Sequence, residues 1–579
     1  MPHFSRRLPA LLVAGSLAFA VPALAATPEE VSGGTEGQAF TATTPDGALY
    51  GNFLAGLVAS HMGDYGRAAT FFGRVAQDEQ IEDLDLLRNT FGLLLAEGRL
   101  DEARQLSDRL LELSPGEGLP HLLRAIDALI DGDGAEAAGE LRQLGDGGIA
   151  DLLTDLLGTW AAVDVAGVDA VRRLDSLTER RGLAVLAHLQ RALVLDYLGD
   201  PAAGEAYEAA LEAGDPDTLR LTLLAGNYFE RAGQTDRAEA LYASYRDANS
   251  GDLLLEPLRA ELTEADGSLR PLVGSVRQGA AGALFDLAGI LARERNGQLS
   301  LAYANLALAL DPDFDAARVL VGELLQGQER HADAVAAYRA VPEDSAYGWV
   351  VALRIAEELH ELEKTEAAIA GLEELAEAKP DRFEPWYRIG NFERSRENWE
   401  VAAEAYEEAV ARIPEIQERH WALLYFRGIA YERSKQWPKA EADFLKALEL
   451  NPEQPYVLNY LAYSWVEHRT NLDQAEEMLI RAVELRPEDG YIVDSLGWVY
   501  YRLGRFEEAV EQLERAVELR PMDPTINDHL GDAYWRTGRE REARVQWQRA
   551  LSLEPTEEGQ AEKIERKLDE GMLPEGEDL

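Results

Sequence analysis

Apolar residues along this chain recur at helical spacing, in runs of about a dozen residues that come in pairs. A longer period overlies the first. Pro487, Pro521 and Pro555 fall thirty-four residues apart, as do Leu496-Gly497 and Leu530-Gly531, Tyr500 and Tyr534, Ala509 and Ala543, and Ala516 and Ala550. Five residue classes in one register predict a helical hairpin stacked on its neighbours. Small residues at three places in the unit let helix backbones cross closely. Gly504 and Gly538 stand where the first helix must stop. The proline cannot continue the second helix and punctuates the join to the next unit.

The segments Leu496-Gly497, Tyr500, Ala509, Leu513, Ala516, Pro521 and Leu530-Gly531, Tyr534, Ala543, Trp547, Ala550, Pro555 resemble the tetratricopeptide repeat. The resemblance implies an all-α chain, a right-handed superhelical solenoid of stacked helix-turn-helix units. The register runs backwards through Gly428 with Phe444, Gly390 with Tyr406, Ala356 with Leu372, Gly322 with Tyr338, and Ala288 with Ala304. Towards the N-terminus it recurs at Gly226 with Tyr242, Ala192, Ala125 with Leu141, Ala103 and Gly56 with Phe72. Thirteen or fourteen units are expected, with 150–183 degenerate. The expected organisation is a signal peptide over 1–25, a disordered leader over 26–48 and an N-terminal array over 49–245. An irregular join over 246–280, a C-terminal array over 281–556, and a capping helix with an acidic tail over 557–579 complete it.

The start of the chain changes where this solenoid is expected to work. Arg6 and Arg7, an apolar stretch from Leu8 to Leu24, and Ala23-Leu24-Ala25 form a positive region, a short hydrophobic region and a small-x-small cleavage site. Cleavage after Ala25 and export to the periplasm are expected, with no stable membrane anchor afterwards. Cys is absent, so apolar burial must hold the exported fold without disulfides. Removing Arg6 and Arg7 takes the formal charge from −49 to −51. Acid spread along the chain in this excess disfavours nucleic acid as a partner. Runs such as Tyr425-Phe426-Arg427-Gly428 and Asp494-Ser495-Leu496-Gly497-Trp498 resemble exported proteobacterial tetratricopeptide proteins, which implies an envelope scaffold.

Catalytic and cofactor chemistry finds little support. The nine His are scattered without metal-ligand spacing, and no Gly-Lys dipeptide exists to build a phosphate loop. Asp131-Gly132-Asp133-Gly134 has Arg142 where a calcium loop needs a bidentate Glu. No enzyme, cofactor or metal is expected. The resemblance implies instead that first-helix positions two, five, nine, twelve and thirteen line a concave protein-binding groove. These positions hold Tyr387, Asn391 and Arg394, then Tyr425 and Arg433, then Tyr456, Asn459 and Tyr463. They continue with Tyr491, Asp494, Trp498, Tyr501 and Arg502, and end with Asp528, Asp532, Trp535 and Arg536. Tyr, Trp and Arg are enriched at binding hot spots. Trp498, Tyr501 and Trp535 are expected side by side, facing solvent, with Tyr534 turned inward. Tyr and Asp at the fifth positions do not resemble the carboxylate clamp of chaperone-docking members. The leading reading is a non-enzymatic periplasmic scaffold for envelope biogenesis, binding proteins or peptides. The alternative is the substrate-recognition subunit of a separately encoded envelope enzyme.

Overall fold

The protein, seen in a computed structural model, is described over residues 45–572 apart from 146, 181, 215–217, 250, 265–266, 295 and 556–558. The signal peptide, its cleavage site and leader residues 26–44 lie outside the described residues, as does the acidic end over 573–579. The described residues are helical with no strand, and they carry a single isolated bridge between Thr263 and Leu269. Among them, no helix is long and apolar enough to cross a membrane. The first helix, Pro45–His61, starts inside the expected leader and pairs with Tyr65–Ala76. From there helices alternate as antiparallel pairs to Pro524–Arg536 and Glu540–Ser552, and the helix Gln560–Glu570 comes last.

The pairing follows from one repeated contact. Gly56, Gly226, Gly322, Gly390 and Gly428 each meet an aromatic ring sixteen residues later, on the second helix of the same pair; Gly497 meets Leu513 and Gly531 meets Trp547 in the same way. A Cβ at any of these glycines would lie 2.2–2.7 Å from that side chain. The two backbones are therefore as close as the intervening ring allows, and any side chain in place of the glycine's hydrogen would force them apart.

The stop of the first helix is less uniform than glycine alone would predict. Gly504 and Gly538 take left-handed backbone angles there, but Glu329, Glu363, Glu397, Lys435 and Arg469 fill the matching turns with φ between 53° and 63°. A side chain in that region is strained by about 1 kcal/mol. Glu363→Gly and Glu397→Gly should therefore each stabilise the chain by ~0.5 kcal/mol, after the extra flexibility of the unfolded glycine is subtracted. Urea midpoints of the single and double variants check this, and a lowered midpoint would contradict it.

The core does not divide where the register weakens. One continuous cluster of buried side chains runs from Ala59 to Ala317, across the join expected at 246–280. The pair Val276–Arg293 and Gly297–Leu310, expected at the head of the C-terminal array, packs on the downstream helix Asp315–Gly327 and also against first helices of the N-terminal array, Leu84–Ala96, Gly118–Asp131, Gly148–Ala166 and Ala184–Tyr197. Asn305 donates from Nδ2 to the carbonyls of Leu95 and Ala96 at 3.2 and 2.8 Å, satisfying acceptors at the end of that helix. Arg330 forms a bidentate pair with Glu97, both contacts 2.7 Å, each side chain about one-tenth exposed. At the centre, Trp160 donates to Gln190 Oε1 at 2.9 Å, Gln190 donates to Asp286 at 3.0 Å, and Arg220 pairs with the same carboxylate. Gly279 rests on the Trp160 ring, where a Cβ would come within 2.4 Å. Residues 280–310 therefore share one buried cluster with the N-terminal helices. The irregular stretch is also tied down. It holds the short helix Leu255–Glu261, packs Leu253 against the buried cluster that contains Leu353, and accepts the Ala346 N–H on Glu261.

Candidate functional site

The first helices form two sets, and the faces that they turn away from their second helices differ. Those of the N-terminal set are covered by the chain's own helices 276–310. The C-terminal set comprises first helices Glu384–Ser395, Trp421–Arg433, Pro455–Glu467, Gly490–Arg502 and Pro524–Arg536. Each is apolar on the side packed against its second helix and carries aromatic and charged residues towards its first-helix neighbours.

At the upstream end, Tyr387 lies half-buried with its ring 6.1 Å from Tyr406, and Asn391 accepts the Tyr406 hydroxyl proton at 2.8 Å. The Arg394 guanidinium lies 4.5 Å from the Phe426 centroid, a cation–π contact between consecutive first helices. Tyr425 meets Tyr460 edge-on, and Arg433 is exposed over Trp399. Tyr456 and Tyr463 are half-buried, with Arg486 reaching over Tyr456. Asn459 carries a buried side-chain oxygen for which no hydrogen-bond partner is found among the described residues. That leaves an unsatisfied acceptor on the first helix Pro455–Glu467.

The centre of the wall is a three-ring stack. Trp498 lies 4.7 Å from Tyr501 at an interplanar angle of 7°, and 4.1 Å from His529 at 17°. Its indole N–H donates to Glu467 at 3.0 Å, and Arg502 lies 3.6 Å from the same carboxylate. Arg536 donates to the Tyr501 hydroxyl at 3.3 Å. Tyr491 is exposed on the outer side, with the Arg520 guanidinium 5.1 Å from its ring. Burial raises the Tyr501 pKa, so this hydroxyl stays protonated at neutral pH.

His529 was not among the groove positions inferred from the repeat register, yet it takes the place expected for Trp535 in the stack. Burial opposes its charge, but Asp494, at 3.0 Å, with Asp528 and Asp532 beyond, outweighs this and pushes its pKa up to about 9. The stacked ring is thus an imidazolium at neutral pH, held against the face of Trp498. The signal in the sequence was a His at position six, one unit after an Asp at position five. It could be read only by pairing positions across units rather than within one.

The last groove positions are not open. Asp494, Asp528 and Asp532 are buried, whereas their positions predicted a groove-facing role. Lys567 of the terminal helix reaches Asp528 at 2.9 Å and Asp532 at 2.7 Å. Asp532 also accepts the Trp547 indole proton at 2.9 Å. Trp535 packs 5.4 Å from Trp547, beneath Gly571. The terminal helix lies over this end of the groove, so Trp535 is a packing residue, contrary to its expected exposure. Tyr534 is buried as its position predicts and donates to Glu514 at 2.7 Å. Among the described residues no group of three or more His, Asp or Glu is arranged to hold a metal.

Comparison with known proteins bears on the repeat. Family profiles described as "TPR repeat" match residues 497–538, and profiles described as "Tetratricopeptide repeat" match 421–454, 189–252 and 353–415. No curated protein matches the chain. Among solved structures, the APC/C hetero-tetramer Cut9-Hcn1 aligns at 17% identity and a TM-score of 0.37, covering 84% of this chain and 96% of that one. A tetratricopeptide repeat protein from Parabacteroides merdae aligns at 15% identity and 0.31, covering 50% and 97%. MamA from Desulfovibrio magneticus aligns at 21% identity and 0.27, covering 30% and 97%.

Proposed function

We propose that this chain, which is a tetratricopeptide-repeat protein and so a scaffold for protein–protein contacts, is a non-enzymatic periplasmic protein that grips partner segments in its C-terminal groove. The observation carrying this reading is the contrast between the two sets of first helices. One is closed by the chain's own helices, and the other carries Trp498, Tyr501 and His529 as a three-ring stack, with the unsatisfied Asn459 oxygen on the preceding first helix. Rigid aromatic anchors with polar neighbours are what binding hot spots are made of. Support for the compartment comes from the Arg6-Arg7 start, the apolar segment after it and the Ala23-Leu24-Ala25 site. An exported scaffold without chemistry of its own fits assembly or secretion of envelope components.

Trp498→Ala tests the groove. It removes two ring contacts and one hydrogen bond to the half-exposed Glu467, so the melt should change by about 1–2 kcal/mol. Capture of partners from an envelope extract should fall by tenfold or more. Unchanged capture would place the binding surface elsewhere. N-terminal sequencing of the protein from the periplasmic fraction should begin at Ala26, and an intact Met1 in the membrane pellet would contradict the compartment.

A further inference from the structure

The two ends of the described helices differ in what they expose. At the C-terminal end, helix Gln560–Glu570 turns Glu562, Lys563, Glu565 and Arg566 outward, closing the stack with charge. At the N-terminal end the first helix, Pro45–His61, exposes Tyr50, Leu54, Val58 and Met62 at four-residue spacing, with Leu57 beside them. Val58 stands two residues beyond the glycine that marks the crossing point of its pair. The same place in the last five units holds Phe392, Ala430, Ser464, Val499 and Ala533, each 6% exposed or less because the preceding second helix covers it. Val58 is 59% exposed. Its surroundings form a cleft of about 520 Å³ between the first two helices, lined by apolar residues including Leu54, Val58, Met62 and Phe71 together with the Asp64–Arg67 pair. This is the berth of a neighbouring helix.

We propose that a second copy of this chain fills it, the two first helices packing antiparallel across a two-fold axis. Three observations choose this occupant. From Gly47 to Ser60 the helix carries no charged residue, in a chain whose formal charge is −49. Two such chains repel over most of their surfaces, and this face offers them an approach whose one acid, Asp64, is paired with Arg67. The stripe is also self-complementary, as an isologous interface requires. Its midpoint falls at Gly56, so an antiparallel partner sets Tyr50 against Met62 and Leu54 against Val58, with Gly51 and Ala55 alongside permitting close approach. Finally, head-to-tail stacking is blocked by the charged outer face of helix 560–570. The leader fits the berth poorly, since residues 26–44 offer only Val31 and Phe40 as bulky apolar side chains and include Pro28, Gly33, Gly34 and Gly37.

Sedimentation velocity of the mature chain should give twice the chain mass at micromolar concentration and dissociation on dilution. Leu54→Glu with Val58→Glu sets four carboxylates across the axis and should weaken association by ~30-fold or more. Both sites are exposed, so the circular dichroism spectrum should be unchanged. As an independent readout, a single Leu57→Cys in this cysteine-free chain should join to its counterpart through a short bis-maleimide. A chain that is monomeric at every concentration overturns the proposal, as does a dimer indifferent to the two Glu. A dimer that forms only when residues 26–44 are deleted also overturns it, because the leader then owns the berth.

Discussion

A fragment beginning at Arg277 should fail to order its first helix pair, whereas one beginning near residue 345 should fold as a helical array. Helices 276–310 bury Leu284, Leu287, Leu291, Leu306 and Leu310 in a cluster shared with the N-terminal helices. Each leucine so buried contributes roughly 1.5–3 kcal/mol, and the set together is on the order of 10 kcal/mol, the scale of a whole domain's stability. Cut at 277, the pair keeps only its downstream neighbour and exposes the rest. Hydrogen exchange should show amides of 276–310 unprotected in that fragment and protected in the full chain. Equal protection in both would mean that the contact with the N-terminal helices contributes little.

The same closure can be probed by one side chain. Asp286 holds Arg220 and Gln190 together, and its side chain is one-tenth exposed. Asp286→Ala leaves the guanidinium without its counter-charge and should cost about 3–5 kcal/mol. Arg220 stacks 5.0 Å from Phe285, so Arg220→Met in the same chain keeps apolar contact and should recover much of the loss. Failure of the second change to rescue the first would show that the Gln190 hydrogen bond, rather than the charge pair, dominates.

The repeat was readable because its contacts are periodic. Gly390 and Tyr406, or Gly531 and Trp547, recur sixteen apart because one hairpin must cross itself the same way each time. The closure of the N-terminal body was not readable. Asn305 with Leu95, Arg330 with Glu97 and Gln190 with Asp286 join residues between 96 and 233 positions apart, and none of them repeats. A hint existed in Trp160, which stands alone in a chain whose other nine Trp lie at or after Trp349, and which proves to sit at the centre of that contact. The groove shows the same division. Positions nine and twelve of one helix bring Trp498 and Tyr501 together, while Tyr491 at position two stands apart, exposed beside Arg520. Trp535, Asp528 and Asp532 are covered by the terminal helix and Asp494 by His529 of the next unit, and a position within one repeat carries no information about a side chain contributed from beyond that unit.

That covering helix gives the second large effect. Lys567 is the cation between Asp528 and Asp532, two carboxylates about one-tenth exposed or less. Lys567→Met keeps the stem and removes the charge, which should cost about 3–5 kcal/mol at pH 7 and free helix 560–570 from the groove end. Burial raises the Asp528 pKa, so the folded state takes up its proton more readily than the unfolded chain does. The loss in the variant should therefore shrink as the pH falls towards 5. His529 adds a dependence of its own. Its folded pKa of about 9 lies above the ordinary 6.5, so its contribution is complete below about pH 6.5 and disappears as the pH rises through about 9. The shift corresponds to at most roughly 3 kcal/mol. His529→Gln with Asp494→Asn replaces the ion pair by neutral groups of similar shape. Thermal melts of the intact protein should fall across pH 6.5–9 while those of the double variant stay level. A slope that survives the double variant would assign the pH dependence to other groups and leave His529 a neutral ring in the stack.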